Sequence, residues 1–294
     1  MALHVGTAPV SWGVWFPDDP RQPPWNRFLD EAVLAGYEAI ELGPHGYLPT
    51  DRAILRAELN KRGLQLTGAF LIGAFQENEA WTMVKPHASQ ICDILNDLGA
   101  RYLVLINDFH TDIFSGESIG RTALAGDEWS RMINTVHLIG DYTRSRGIRS
   151  MVHPHAETWV EYEDQVERLL ADTDSEMVSL CLDVGHYAYR KGDAVALLQR
   201  HHERIPYLHL KNVNAEVLNK VEEERLSFAE GVQLGIFADL DKGMVDFVAI
   251  RNVLDAAGFE GWGIVEQDMY PVEFDKPLPI AKHNREYLQR IGLG

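Results

Sequence analysis

Four segments of the sequence share one pattern: MVHPH (151–155), SLCLDVGH (179–186), YLHLKN (207–212) and GIVEQD (263–268). Each begins with apolar residues that suit a buried strand, and each carries carboxylates or imidazoles at its end. The strands of a parallel barrel deliver the residues at their carboxyl ends to a common mouth. These segments therefore predict neighbouring barrel strands whose polar ends meet at one site.

The rest of the chain alternates short apolar runs with longer amphipathic patterns. Eight strands are predicted in this way: HVGTA (4–8), EAIEL (38–42), LQLTGAF (64–70), YLVLI (102–106), IRSMVH (148–153), MVSLCLD (177–183), YLHLK (207–211) and GIVE (263–266). Repeated strand–helix units are typical of a parallel sheet, and the chain of 294 residues is long enough for a barrel of roughly 250 residues. We predict an α/β fold, a single (β/α)₈ TIM-barrel domain over residues 1–294.

One segment, residues 213–245, interrupts this alternation directly after the seventh predicted strand. It combines a charged helical pattern, AEVLNKVEEER, with a turn that contains Gly243. Long loops that follow a barrel strand shape the mouth of the barrel or contact another subunit. A solvated charged helix without a role is the alternative interpretation.

Charge and composition argue against several classes of partner. The chain has 27 basic and 44 acidic residues, a formal net charge of −17, which repels phosphate backbones and anionic lipids. The sequence shows no signal peptide and no apolar run of about 18 residues. Cys92 and Cys181 do not resemble a disulfide framework. We therefore expect a cytoplasmic protein without nucleic-acid or membrane partners.

Asp183, His209 and Glu266 form the core of a predicted divalent-metal site. Each follows an apolar run, and a carboxylate at the end of a buried strand needs a partner that offsets its desolvation. The fourth ligand is expected from the HPH segment. His153 lies where the strand ends and His155 one step beyond, so one would bind the metal and the other would bind substrate or transfer a proton.

Two further side chains are candidates for the chemistry. Glu157 could supply a carboxylate as ligand, base or acid. Lys211 shares its strand face with His209, a position from which its ammonium group could stabilise an enolate oxygen. An ion pair with a neighbouring acid is the alternative for Lys211. The predicted catalytic set is His153, His155, Glu157 and Lys211.

Aromatic and polar residues near other strand ends suit a sugar-like ligand, because C–H faces pack on rings while hydroxyl groups take hydrogen bonds. Trp12 and Trp15, Glu41 and His45, and Asn107 occupy such positions. The residues that we predict to bind substrate are Trp12, His45, Asn107 and His186. Motifs typical of nucleotide-binding, acyl-enzyme and zincin sites are absent from the sequence.

Several motifs together resemble the xylose-isomerase-like sugar phosphate isomerase/epimerase superfamily, and within it most closely its myo-inosose-2 dehydratase branch. They are HPHAETWVE, LDVGHYAY, HLKNV, LNKVEEERLSFAEGVQLGIFADLDKGMVDF and GWGIVEQD. The resemblance implies a (β/α)₈ barrel that binds Mn²⁺, with Co²⁺ or Mg²⁺ as alternatives, through Asp183, His209 and Glu266. Two positions depart from the superfamily pattern: His153 replaces a common glutamate, and Glu157 stands where glycine is more usual.

These observations predict a metal-dependent lyase that dehydrates a cyclic keto-polyol such as an inosose by removing a proton next to the carbonyl group. A keto-sugar isomerase or epimerase is the first alternative, and an eliminase that cleaves 3-keto-glycosides is the second. The expected partner is a small keto-sugar or inosose, and the protein could form a homo-oligomer.

Overall fold

A computed structural model describes residues 2–294, so Met1, at the start of the predicted domain, lies outside the described residues. The strands are β1 (Ala2–Thr7), β2 (Ala39–Ile40), β3 (Gln65–Leu66), β4 (Gly68–Gly73), β5 (Tyr102–Asn107), β6 (Arg149–Val152), β7 (Val178–Asp183), β8 (Tyr207–Leu210), β9 (Asn212–Val213), β10 (Phe237–Ala238) and β11 (Glu260–Val265). Nine of them form one sheet, in the order β3-β2-β1-β11-β8-β7-β6-β5-β4.

This sheet is a barrel, as the sequence predicts. All of its paired strands are parallel. Its two edge strands, β3 and β4, are separated in the chain only by Thr67, and Leu42 N donates a hydrogen bond to Gly68 O across the join. The two pieces therefore act as one bent strand, so nine strands correspond to the eight of a (β/α)₈ barrel.

Helices connect the strands. They are α1 (Trp25–Leu34), α2 (Arg52–Arg62), α3 (Ala80–Leu98), α4 (Gly126–Arg144), α5 (Glu163–Asp172), α6 (Val184–Tyr189), α7 (Ala194–His201), α8 (Ala215–Glu224), α9 (Phe228–Gln233), α10 (Phe247–Ala256) and α11 (Pro277–Ile291). Helix α2 shows how the sequence sets their ends: the Asp51 side chain accepts hydrogen bonds from Ala53 N and Ile54 N, and Gly63 ends the helix at a φ of 68°. No helix within residues 2–294 is long and apolar enough to cross a membrane.

Two apolar layers hold the barrel together. The larger layer lies between the sheet and the surrounding helices, whereas a smaller one, which includes Val104, Met151, Cys181 and Ile264, fills the barrel interior. Tyr207 lies in the same interior, and its hydroxyl is 2.8 Å from Thr67 Oγ1 and 2.8 Å from Glu41 Oε1. Because the lower barrel is packed with side chains, the open space that residues 2–294 leave inside the barrel lies towards the carboxyl ends of the strands.

The segment 213–245 contains α8, α9 and the antiparallel pair β9–β10. Its apolar residues, among them Val221, Phe228, Val232 and Phe237, pack in a third cluster with Tyr189 at the end of α6. The segment thus lies against elements that surround the barrel mouth.

Candidate active site

A cavity of about 240 Å³ opens at the carboxyl ends of the strands. Of its 22 lining residues, eight are ionisable: Glu41, His153, His155, His186, His209, Lys211, Glu266 and Asp268. Seven of these lie on or just after four consecutive strands of the sheet, β6, β7, β8 and β11. The four polar segments of the sequence therefore form one side of the barrel mouth, as their pattern predicts.

Four side-chain atoms from these strands converge. His209 Nδ1 lies 3.1 Å from His153 Nε2, 3.8 Å from Asp183 Oδ2 and 3.3 Å from Glu266 Oε2. His153 Nε2 is 3.7 Å from Asp183 Oδ2. Ligands bound about 2.1 Å from a tetrahedral ion lie about 3.4 Å apart. The donor atoms of His153, Asp183 and His209 all lie within 4.8 Å of one another, and Glu266 lies beside His209, so three of these residues could share one ion with Glu266 next to them. The structure thus brings the predicted ligands Asp183, His209 and Glu266 close to His153, and their binding of a metal stays a prediction.

Asp183 provides a second test of whether these residues fit a cation. Its Oδ1 atom accepts hydrogen bonds from Gly185 N at 2.7 Å and His186 N at 2.8 Å, at the start of α6. Its Oδ2 atom is buried, accepts no hydrogen bond and lies 3.7 Å from His153 Nε2 and 3.1 Å from the Lys211 ammonium group. Burial of a carboxylate oxygen is costly, and a divalent cation at this position would add to the compensation that Lys211 provides.

Glu41 orients the His209 ring. The Glu41 carboxylate, on the chain just after β2, is buried and accepts a hydrogen bond from His209 Nε2 at 3.1 Å. Nδ1 is therefore the ring nitrogen available to a metal. Burial by itself lowers the pKa of the His209 ring. Nearby acidic groups, including Glu266 and Glu41, have a larger and opposite effect, so that without a metal the pKa of this ring lies well above its ordinary value.

Lys211 is fully buried among the acids of the site. Its Nζ atom lies 3.1 Å from Asp183 Oδ2, 3.0 Å from Glu266 Oε2 and 2.9 Å from Asp268 Oδ2. It also donates a hydrogen bond to His186 Nε2 at 3.0 Å. Burial lowers the pKa of Lys211, but the three carboxylates outweigh this effect and raise it, so the side chain stays a cation. The site therefore holds a fixed positive charge beside the four convergent atoms.

His155 projects into the cavity beside this cluster. Its Nδ1 atom is 2.7 Å from the carbonyl oxygen of Ala156, which can only accept, so Nδ1 carries the proton and Nε2 is free to accept one. The ring lies against that of His186, with 3.7 Å between the ring centres. Burial, together with the nearby His153 and Lys211, lowers the pKa of His155 to about 3. The ring is therefore neutral near pH 7.

Comparison with known proteins agrees with this geometry. The profile of the xylose isomerase-like TIM barrel family matches residues 29–291. The chain belongs to the xylose isomerase-like TIM barrel family.

Curated relatives align with nearly the whole length of this chain. It is 30% identical to the inosose dehydratase of Geobacillus thermodenitrificans, over 98% of this chain and 96% of the relative. It is 28% identical to the inosose dehydratase of Clostridium beijerinckii over the same shares of the two chains.

Solved structures share the fold at lower identity. The IolI protein, whose structure was solved with a zinc atom, superposes with a TM-score of 0.74 at 13% identity and covers 99% of this chain and 98% of its own. The probable 3-DHS dehydratase AsbF of Bacillus anthracis gives 0.73 at 15% identity, with 98% of each chain covered. These likenesses support the barrel fold of this family member.

Four residues of the predicted site lie elsewhere in the structure. The Glu157 carboxylate does not line the cavity and is 2.8 Å from Arg190 Nη2. Its backbone has a φ of 67°, in the left-handed region, which explains physically why glycine suits this position. Glu157 therefore does not fit a catalytic role.

The substrate-binding roles expected for Trp12, His45 and Asn107 also need correction. Trp12 is fully buried in the core, where its Nε1 donates to Glu31 Oε2 at 2.8 Å. His45 lies beside His87, and Asn107 Nδ2 contacts the Met132 sulfur at 3.2 Å. None of the three lines the cavity.

Four residues outside the predicted site set line the cavity or join its polar cluster. Trp15, three residues after Trp12, lines the cavity, as does Phe228 of α9. Glu41 and Asp268 join the polar cluster. Glu41 lies near the end of one predicted strand and Asp268 follows another, which is a usable signal, but Phe228 lies in the 213–245 segment and only the packing of that segment brings it to the mouth.

Proposed function

We propose that this protein is a metal-dependent dehydratase that acts on a cyclic keto-polyol such as an inosose. The observation that carries the proposal is the convergence of His153, Asp183, His209 and Glu266 beside Lys211 and a neutral His155. The nearly full-length similarity to inosose dehydratases supports the substrate class.

Two imidazole nitrogens and two carboxylate oxygens would hold the divalent metal. This mixed donor set favours a transition metal such as Mn²⁺ or Co²⁺ over Ca²⁺, which prefers oxygen ligands alone. Among these ions we propose Mn²⁺ as the physiological one, with Co²⁺ or Mg²⁺ as alternatives. When bound, the ion supplies Lewis acidity for a carbonyl oxygen and an adjacent hydroxyl group.

The protein's own groups would carry out the proton transfers. His155 Nε2 is positioned to remove the proton from the carbon next to the carbonyl, since its other nitrogen is held by Ala156 O. The Lys211 ammonium would stabilise the negative charge that then develops on oxygen. The enolate electrons then re-form the C=O bond and a C=C bond forms to the next carbon, whose hydroxyl group would take up the proton that His155 removed and leave as water.

A direct assay tests this proposal. Purified protein supplied with Mn²⁺ is offered a panel of inososes and keto-sugars, and the ultraviolet absorbance of an enone is followed together with loss of the ketone. Dehydration forms that chromophore, whereas epimerisation and isomerisation rearrange the substrate without it. Product formation that stops on chelation and returns with Mn²⁺ supports the proposal; epimerised products without an enone would contradict it.

The proposal includes a cytoplasmic location and a small-molecule partner only. The acidic surface, with a net charge of −17, repels nucleic acid and anionic membranes, and both cysteines are buried and free. A homo-oligomer remains part of the proposal and is tested by light scattering of the purified protein.

A further inference from the structure

The mouth of the barrel is divided into two unlike halves. The ionisable residues come from β6, β7, β8 and β11, apart from Glu41, whose carboxylate is turned to His209 and Tyr207. The other strands and the loops that follow them supply apolar residues, including Val10, Trp15, Phe16, Ile72, Phe109 and Ile113. Apart from Glu41 and the indole N–H of Trp15, the described lining residues on this side carry no polar side-chain group.

Local contacts anchor the Trp15–Phe16 part of this apolar wall, which is defined by Trp15, Phe16, Phe109, Ile113 and Phe228. The backbone N–H groups of Trp15 and Phe16 donate to Gln22 Oε1 at 2.6 and 2.8 Å. Tyr270 stacks on the Trp15 ring with 4.8 Å between ring centres. Such anchors reduce the entropy lost on binding.

The loop after β5 and helix α9 complete the apolar wall. Ala229 N donates a hydrogen bond to Ile113 O at 2.8 Å, which joins the two segments. Phe228, the neighbour of Ala229, lies 6.2 Å from Trp15 and 5.8 Å from His155, measured between ring centres. The apolar wall therefore begins directly beside the polar cluster.

An unsubstituted keto-polyol bound at the polar cluster would leave the apolar half of this cavity without a partner. One half of the cavity offers hydrogen-bonding side chains, and hydroxyl groups turned towards the other half would lose their bonds to water without replacement. A single aromatic ring could pack on the C–H face of a sugar. The five side chains of the apolar wall line the same cavity as the polar cluster, so an apolar group attached to the polyol would contact them.

We propose that the substrate is a cyclic keto-polyol that carries an aromatic or branched apolar substituent, which the apolar wall binds. This inference rests on the proposed function for the keto-polyol part. The polar cluster would bind the carbonyl end, and the substituent would lie between Trp15 and Phe228.

Binding of three stable probes tests the inference: myo-inositol, methyl β-glucoside and phenyl β-glucoside, each titrated by calorimetry into Mn²⁺-supplied protein. Burial of a phenyl ring should make the phenyl glucoside bind roughly 10–100-fold more tightly than the methyl glucoside. Trp15→Ala and Phe228→Leu should remove most of this difference. The matched control is Trp81→Ala, since Trp81 packs on Tyr142 of α4 and does not line the cavity.

Equal affinities in the unmodified protein, or no measurable binding of the phenyl glucoside, would overturn the inference. So would a phenyl advantage that persists in both Trp15→Ala and Phe228→Leu. Near-ultraviolet circular dichroism identifies a variant that fails to fold, in which case Trp15→Leu replaces Trp15→Ala. Inosose dehydration without a phenyl advantage rejects only this inference, whereas a Trp15-dependent phenyl advantage without dehydration of any keto-polyol rejects only the proposed function.

Discussion

Glu41 accepts a hydrogen bond from His209 Nε2 at 3.1 Å, although the two residues are 168 positions apart in the chain. This contact turns the His209 Nδ1 atom towards Asp183 Oδ2 and Glu266 Oε2. A carboxylate that holds the outer nitrogen of a ligating histidine fixes the ring and strengthens it as a ligand.

We expect Glu41→Ala to weaken metal binding by about 10–100-fold, the usual effect of losing such a partner. Glu41→Gln should cost less, because its amide oxygen can still accept from His209 Nε2. Calorimetric titration of the metal-free variants with Mn²⁺ measures both effects. Equal affinity of Glu41→Ala and the unmodified protein would show that Glu41 does not orient the ring.

Asp183 has two roles that one substitution separates. In Asp183→Asn the Oδ1 atom can still accept from Gly185 N and His186 N, but the negative charge facing the metal is lost. We expect bound Mn²⁺ to fall well below one equivalent while the melting temperature stays close to that of the metal-free protein. Asp183→Ala should also lose the helix cap, at a further cost of about 1 kcal/mol. Elemental analysis that finds a full equivalent of metal in Asp183→Asn would exclude Asp183 as a ligand.

The two acid–base candidates in the loop after β6 should differ sharply. Since His155 lines the cavity and Glu157 does not, His155→Gln should lower kcat by roughly 10²–10⁴-fold, and Glu157→Gln should leave kcat nearly unchanged. Solvent deuterium exchange at the carbon next to the carbonyl should fall only in His155→Gln. If Glu157→Gln were the inactive variant, the assignment of the base would have to be reversed.

Asp108 should make stability depend on pH. Burial raises the pKa of the Asp108 carboxyl, although Gln76 and Trp159 donate hydrogen bonds to it and oppose the shift. The folded state then binds the proton more tightly than the unfolded chain. The stability from this group is present below the unfolded pKa and is lost as the pH rises through the folded pKa.

Asp108→Asn should therefore raise the melting temperature at pH 8 by about 1–2 °C, and this gain should shrink as the pH falls towards 4. The new amide could also donate to Gln76 Oε1, which is buried and lacks a hydrogen bond. Asp141→Asn, at an exposed position on α4, is the matched control. A gain that grew on acidification would contradict the assigned sign.

The barrel and much of the polar site could be predicted because their signals are local. Apolar runs such as SLCLD and YLHL specify strands, and in a parallel barrel all strand ends meet at one mouth, so Asp183, His209 and Glu266 could be grouped without any contact being known. The spacing in HPH placed both His153 and His155 near that mouth. It did not decide which ring would face His209.

Only the tertiary structure made that choice. It also showed that Trp15, Glu41 and Phe228 line the cavity, whereas Trp12 and His45 do not. A residue near a strand end can point into the mouth or away from it, and loop conformation decides which. Trp12 turns to Glu31 in the core because the chain forms a 3₁₀ turn over Pro9–Trp12, whereas Trp15 follows that turn and reaches the cavity. The sequence thus determined which strands carry the chemistry, and long-range packing decided which side chains surround the ligand, because that choice depends on contacts between residues far apart in the chain.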